Sequence, residues 1–164
     1  MLYRFNDKTA RHKRNMIIQL REIEICSAHF NRKLVRPLFS ERVQAGFPSP
    51  ADRHIEDRID LNQELIRHPL ATFYVRVIGD SMIDEGIFPG TLLVVDRAEQ
   101  TKSGDIVLAR INADVCVKEL SIGDDGSVWL LSKNPSYPPI EITEEMEFEV
   151  WGRVMWSITP HPLQ

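Results

Sequence analysis

From Phe73 onward the chain is a succession of short runs rich in valine, isoleucine and leucine, each closed by turn residues at intervals of about ten residues. The runs cover residues 73–77, 91–95, 105–111, 115–120, 127–131 and 148–157. Between them stand Gly90, Ser103-Gly104, Asn112, Gly123-Asp124-Asp125-Gly126 and Asn134-Pro135. Segments this short and this rich in β-branched residues favour strands over helices. The pattern predicts a mainly β fold, a sandwich or a partial barrel, over residues 73–164. No internal repeat or low-complexity tract interrupts it.

Two stretches of different character precede this domain. Residues 37–72 read as a connector. A short helix can begin at residues 37–43 with Ser40 as its cap, before Gly46, Pro48 and Pro50 break regular structure. Residues 55–66, with Ile55, Ile59, Leu61, Leu65 and Ile66, have the spacing of a short amphipathic helix closed by His68-Pro69. Residues 1–36 form a polar, basic arm, expected to be flexible. A helix is expected around residues 16–28, where Met16, Ile17, Leu20 and Ile23 recur at three- and four-residue steps.

Composition narrows the function classes. Of 164 residues, 43% are hydrophobic and 27% charged, enough for a folded core in a soluble protein. No apolar run approaches the roughly 18–20 residues of a membrane helix, so a cytoplasmic protein without membrane partners is expected. Cys26 and Cys116 lie far apart, with no metal-ligand spacing and no disulfide framework, so neither metal nor cofactor is expected. The formal charge of −4 conceals an asymmetry: residues 1–36 carry +6 and the remainder −10. So acidic a body starts against phosphate repulsion, and direct sequence-specific DNA binding is not expected. The arm is also far shorter than a winged helix-turn-helix domain.

The chemistry centres on Ser81, in Val77-Ile78-Gly79-Asp80-Ser81-Met82-Ile83-Asp84, and on Lys118, 37 residues later in Val115-Cys116-Val117-Lys118. A serine hydroxyl is a weak nucleophile that needs an adjacent base. No GxSxG elbow is present, and His54, His68 and His161 stand in no evident triad setting. A lysine can act instead if it is held neutral. Its ordinary pKa is about 10.4 and a useful base needs about 7–8, a change that apolar burial can supply. Strand alternation puts Lys118 and Cys116 on one face and Val115, Val117 and Glu119 on the other, so Glu119 need not neutralise the lysine. Cys116 is a competing nucleophile on the Lys118 face, although a buried thiol usually serves packing. Replacing it with serine is expected to leave activity nearly intact. Upstream, Gln44-Ala45-Gly46-Phe47 offers a small-residue bond in an extended, proline-stiffened segment that a protease cleft can hold as a strand.

Further stretches resemble the UmuD-type proteins of the LexA/UmuD self-cleaving Ser–Lys peptidases. They are Pro37-Leu38-Phe39-Ser40, Gln44-Ala45-Gly46-Phe47-Pro48-Ser49-Pro50, Ile59-Asp60-Leu61-Asn62 and His68-Pro69 before Ala71-Thr72. Gly79-Asp80-Ser81-Met82-Ile83-Asp84, Leu92-Leu93-Val94-Val95-Asp96, Gly104-Asp105-Ile106-Val107, Val117-Lys118 and Trp151-Gly152 continue the likeness in order. It spans about residues 36–162, and residues 1–35 lie outside it. The resemblance implies a β fold like that of LexA and signal peptidases, with the N-terminal arm carrying the cleavage site. It implies Ser81 as nucleophile, Lys118 as general base, the Asp80 and Ser81 backbone amides as oxyanion hole, and Ala45–Gly46 as the bond cut. Family members form homodimers and respond to a RecA filament on single-stranded DNA during the SOS response to DNA damage. Their shortened product, here 46–164, serves a UmuC-like Y-family polymerase in error-prone translesion synthesis.

Two other classes compete. A regulatory or repressor-like module that no longer cuts is opposed by the intact Ser81, Lys118 and Ala45–Gly46 and by the missing DNA-binding domain. A processing peptidase acting on other proteins is opposed by the absence of a membrane anchor and by the internal cleavage site.

Overall fold

The computed structural model describes residues 18–20, 23–27, 34–39 and 55–161. In chain order its strands are β1 (Ile18–Leu20), β2 (Ile23–Ser27), β3 (Val35–Phe39), β4 (Ile55–Asp60), β5 (Thr72–Val77), β6 (Leu92–Asp96), β7 (Ile106–Ile111), β8 (Asp114–Ile122), β9 (Val128–Leu131), β10 (Ile140–Ile142) and β11 (Phe148–Ile158). One short helix, α1 (Leu61–Leu65), follows β4. Among the described residues nine strands join one antiparallel sheet in the order β1-β2-β5-β6-β11-β7-β8-β9-β10, while β3 and β4 pair separately. The seven strands from β5 to β10 curl into a half-barrel. The mainly β expectation holds, in its partial-barrel form.

The six predicted strand runs all appear within two residues of their expected ends, and β10 adds a short alternation, Ile140-Glu141-Ile142, that the sequence reading passed over. The helices fare differently. The described residues of the stretch 16–28 are strand rather than helix: β1 and β2 cover 18–20 and 23–27, and β2 pairs with β5 from Ile23↔Val77 to Ser27↔Phe73. An open edge strand offers unpaired backbone groups, and an isoleucine-rich segment takes them despite its helical spacing. Residues 37–39 belong to β3 rather than to a helix, and residues 40–43, with the Ser40 cap, lie outside the described residues. Pro37 is tolerated because a two-stranded ribbon is all edge. The expected helix at 55–66 splits into β4 and α1. Asp60 makes the break: its backbone is extended and its carboxylate accepts from Asn62 N–H at 3.0 Å.

Alternation sorts the core into two clusters. Phe73, Val75, Val77, Leu93, Val95, Leu108, Val115 and Val117 share one cluster with Met82 and Ile87, and Val107, Ala109, Leu120 and Leu130 form the other. Curvature comes from β11, which slips register against β7 between Val150 and Gly152 and against β6 between Val154 and Trp156. Gly152 is needed there, since a Cβ would sit 2.7 Å from Val95 Cγ1 and 2.8 Å from the Asp96 carbonyl oxygen.

Candidate active site

β5 ends at Val77 and releases a loop that returns at Thr91. Val77 O accepts from Gly90 N–H at 2.7 Å and Val77 N–H donates to Thr91 O at 3.0 Å, so the loop is tied at its base. A single 3₁₀ turn, Ile83–Glu85, ends at Gly86 with φ +75°, a conformation natural to glycine. Met82, 1% exposed, plugs the loop into the first core cluster. Its burial fixes the preceding residue, Ser81, at the rim.

Lys118 projects from the middle of β8, opposite Val107 of β7, and is buried to 7% exposure. Its Nζ donates to Ser81 Oγ at 2.6 Å. Val77, Gly79, Met82, Cys116 and Val117 line the same small cleft. The alternation expectation is met: Cys116 packs toward the second cluster, while Val115 and Val117 enter the first. Glu119 spends its charge elsewhere, on Lys133 Nζ at 2.7 Å, and that hydrogen bond raises the Lys133 pKa above the usual lysine range.

The segment after β9 packs along the serine loop. Lys133 N–H donates to Ser81 O at 2.9 Å, and Asp84 N–H donates to Lys133 O at 2.9 Å. Asn134 Nδ2 donates to Asp80 O at 3.1 Å. The Tyr137 hydroxyl donates to the Asp80 carboxylate, and the Tyr137 ring lies 5.7 Å from Lys118 Nζ. Sequence reasoning missed Asn134 and Tyr137. Asn134-Pro135 reads as loop punctuation, and no local pattern tells which distant carbonyl such a loop will grip. The Asp80 and Ser81 amides, expected to form an oxyanion hole, donate to no protein acceptor among the described residues. Ala45 and Gly46 lie outside the described residues.

A buried amine against a half-buried hydroxyl can remove a proton from the serine and create a nucleophile. The residues closest to a metal-ligand set are His68, Asp96 and Glu99, whose ligand atoms lie within 4.8 Å of one another at the opposite end of β5. Each already has a structural partner. His68 Nδ1 lies 2.8 Å from Asp96 Oδ2, Asp96 Oδ1 accepts from Ala98 N–H at 2.8 Å, and Glu99 pairs with Arg67 at 3.3 Å. Among the described residues no helix is long and apolar enough to cross a membrane.

Residues 37–155 match the family described as Peptidase S24-like. Protein SamA of Salmonella typhimurium is 47% identical over 114 residues, 70% of this chain and 80% of the relative. Protein MucA of Escherichia coli is 38% identical over 128 residues, 77% of this chain and 86% of the relative. The LexA repressor of Stenotrophomonas maltophilia is 40% identical over 120 residues, 73% of this chain and 56% of the relative.

Proposed function

This chain belongs to the Peptidase S24-like family, as a UmuD-like member of its LexA/UmuD group, and on that premise we propose a serine endopeptidase that cuts its own Ala45–Gly46 bond. The observation that carries the reading is the 2.6 Å contact between Lys118 Nζ and Ser81 Oγ in a mostly apolar cleft. With the amine neutral, the hydrogen bond reverses and the serine hydroxyl donates to Nζ. Lys118 takes that proton as Oγ attacks the Ala45 carbonyl carbon. The oxyanion that forms is met by the Asp80 and Ser81 N–H groups. Collapse breaks the Ala45–Gly46 bond, and Lys118 returns its proton to the departing Gly46 amine. Water, activated by the same amine, then hydrolyses the Ala45 ester on Ser81. Glycine at position 46 leaves the attacking hydroxyl uncrowded.

The same reading assigns the trigger to a RecA filament on single-stranded DNA. The filament contributes no catalytic group and only favours the conformation in which residues 45–46 enter the cleft. The product 46–164, a cytosolic homodimer, then serves a UmuC-like translesion polymerase in SOS mutagenesis. SamA and MucA, which match most of this chain at 47% and 38% identity, support the SOS setting.

Mass spectrometry of the purified chain tests this, at rising pH and separately with RecA, ATP and single-stranded DNA. A fragment beginning at Gly46, growing with pH and absent from Ser81→Ala and Lys118→Ala, is the expected result. An intact chain under every condition would instead favour a non-cutting regulatory module.

A further inference from the structure

The carbonyl of Asp80 and the amide of Ser81 belong to one peptide unit, planar and trans, so they point in opposite directions. Whatever grips that carbonyl therefore aims the Ser81 N–H. Asn134, 9% exposed, supplies the grip through Nδ2 at 3.1 Å from Asp80 O, while its Oδ1 accepts from Ser136 N–H at 3.0 Å. Both ends of the side-chain amide are thus assigned by their partners, since a carbonyl can only accept and an N–H only donate. The bond to Ser136 is an ordinary Asx turn that shapes Asn134's own loop. It explains the acceptor end only. The donor end reaches a residue 54 positions away in sequence, and loop shape alone does not require that. Ile83 N–H also approaches Asp80 O, but at 3.4 Å it is the weaker contact. One residue along, Lys133 N–H holds Ser81 O at 2.9 Å, so two successive carbonyls of the serine loop are bound from the same strand of chain.

We infer that Asn134 is a positioning residue for the oxyanion hole: it turns the Asp80–Ser81 peptide so that the Ser81 N–H faces the carbonyl under attack. The inference rests on the self-cleavage reading above. Asn134 acts through that peptide and leaves the proton transfer between Ser81 and Lys118 unchanged. Its loss should therefore lower the maximal rate and leave the pH at which the rate is half-maximal in place.

Self-cleavage of the full chain across pH, for Asn134→Ala and Asn134→Asp, is the experiment, with ¹H–¹⁵N spectra of the same variants in a Ser81→Ala background. Asn134→Asp keeps the acceptor for Ser136 and loses the donor, so it separates the grip from the turn. Both variants should lose about 10- to 100-fold in plateau rate, short of the roughly 10²–10³ for deleting an oxyanion donor outright. The half-maximal pH should stay fixed and the residue-81 amide resonance should move. A plateau within about twofold of the parent overturns the inference, as does a half-maximal pH that moves with the rate or a residue-81 amide that stays still. A parent chain that never cuts removes the self-cleavage reading. The spectra then decide alone: a displaced amide resonance sustains the positioning, and an unmoved one overturns it.

Discussion

Lys118 is a long amine set among Val77, Met82, Cys116 and Val117 with 7% of its surface exposed, and its removal should separate activity from stability. Lys118→Met keeps the length and apolar stem while deleting the amine. Self-cleavage should fall by at least the roughly 10²–10⁴ of a general base, while the melting temperature holds or rises. Lys118→Arg should be equally inactive at every pH, because a guanidinium does not deprotonate in proteins. Cleavage by either variant at near-parental rate, followed by mass spectrometry, would remove Lys118 from the mechanism. A second residue reports on packing: Ser132 Oγ is buried and has no hydrogen-bond partner among the described residues. A buried hydroxyl left unpaired costs about 1–3 kcal/mol, so Ser132→Ala should leave the melting temperature unchanged or raise it. A clear fall in a thermal scan would mean that the hydroxyl has a partner, such as a bound water. Ser81 and Lys118 were legible in the sequence through their joint occurrence with Ala45–Gly46 and through the family resemblance, since Gly-Asp-Ser-Met or a lysine in an apolar strand is unspecific alone. Asn134 and Tyr137 were not, since their roles depend on where the chain after β9 crosses the serine loop.

At the level of elements, the strands from β5 to β9 and β11 were readable because each is a short run rich in valine, isoleucine or leucine, and all but β6 are followed within three residues by a glycine, asparagine or proline. β1 to β4 were not readable as strands. Their pairing depends on an open β5 edge and on each other, and no residue within residues 18–60 announces either. That pairing has a consequence for the cut. Ala45–Gly46 lies in the link between β3 and β4, so five residue pairs of β3–β4 and five of β2–β5 still join the two fragments after hydrolysis. Fragments 1–45 and 46–164 should therefore co-elute in native gel filtration and separate only in denaturant. Separate elution straight after cleavage would show that these ladders do not outlast the bond. A specific protease site placed between residues 40 and 54 of Ser81→Ala allows the same measurement without self-cleavage. β11 supplies the other element-level prediction. In Gly152→Ala the new methyl would meet Val95 Cγ1 at 2.7 Å and the Asp96 carbonyl oxygen at 2.8 Å. Overpacking of this kind costs about 1–3 kcal/mol, a fall of roughly 3–10 °C in melting temperature. An unchanged melting temperature would mean that the bulge relaxes.

The whole molecule limits the alkaline conditions in which the chemistry runs fastest. The proposed base works only when neutral, so the rate rises with pH to a plateau that lasts for as long as the fold survives. Tyr74 works against survival. It sits mid-way along β5 between Cys26 of β2 and Val94 of β6, and burial pushes its phenol pKa above the ordinary 10.0. A folded-state pKa raised above the unfolded value means that the fold prefers the neutral phenol. That preference contributes fully below pH 10 and is lost as pH rises through the folded-state value, where the phenolate must be either buried or released by unfolding. Melting temperatures of the parent chain and Tyr74→Phe, both in a Ser81→Ala background to prevent cutting, should run in parallel up to about pH 9.5 and diverge above it. The phenylalanine variant should then hold the higher value. Parallel curves to pH 11 would mean that Tyr74 does not set the alkaline limit. With Ser81 restored, Tyr74→Phe should carry the self-cleavage plateau to higher pH without changing the rate below it. The nucleophile loop hangs from the far end of the strand that carries Tyr74, so the comparison of parent and Tyr74→Phe tests whether the strand that aims Ser81 also limits the pH at which Lys118 can act.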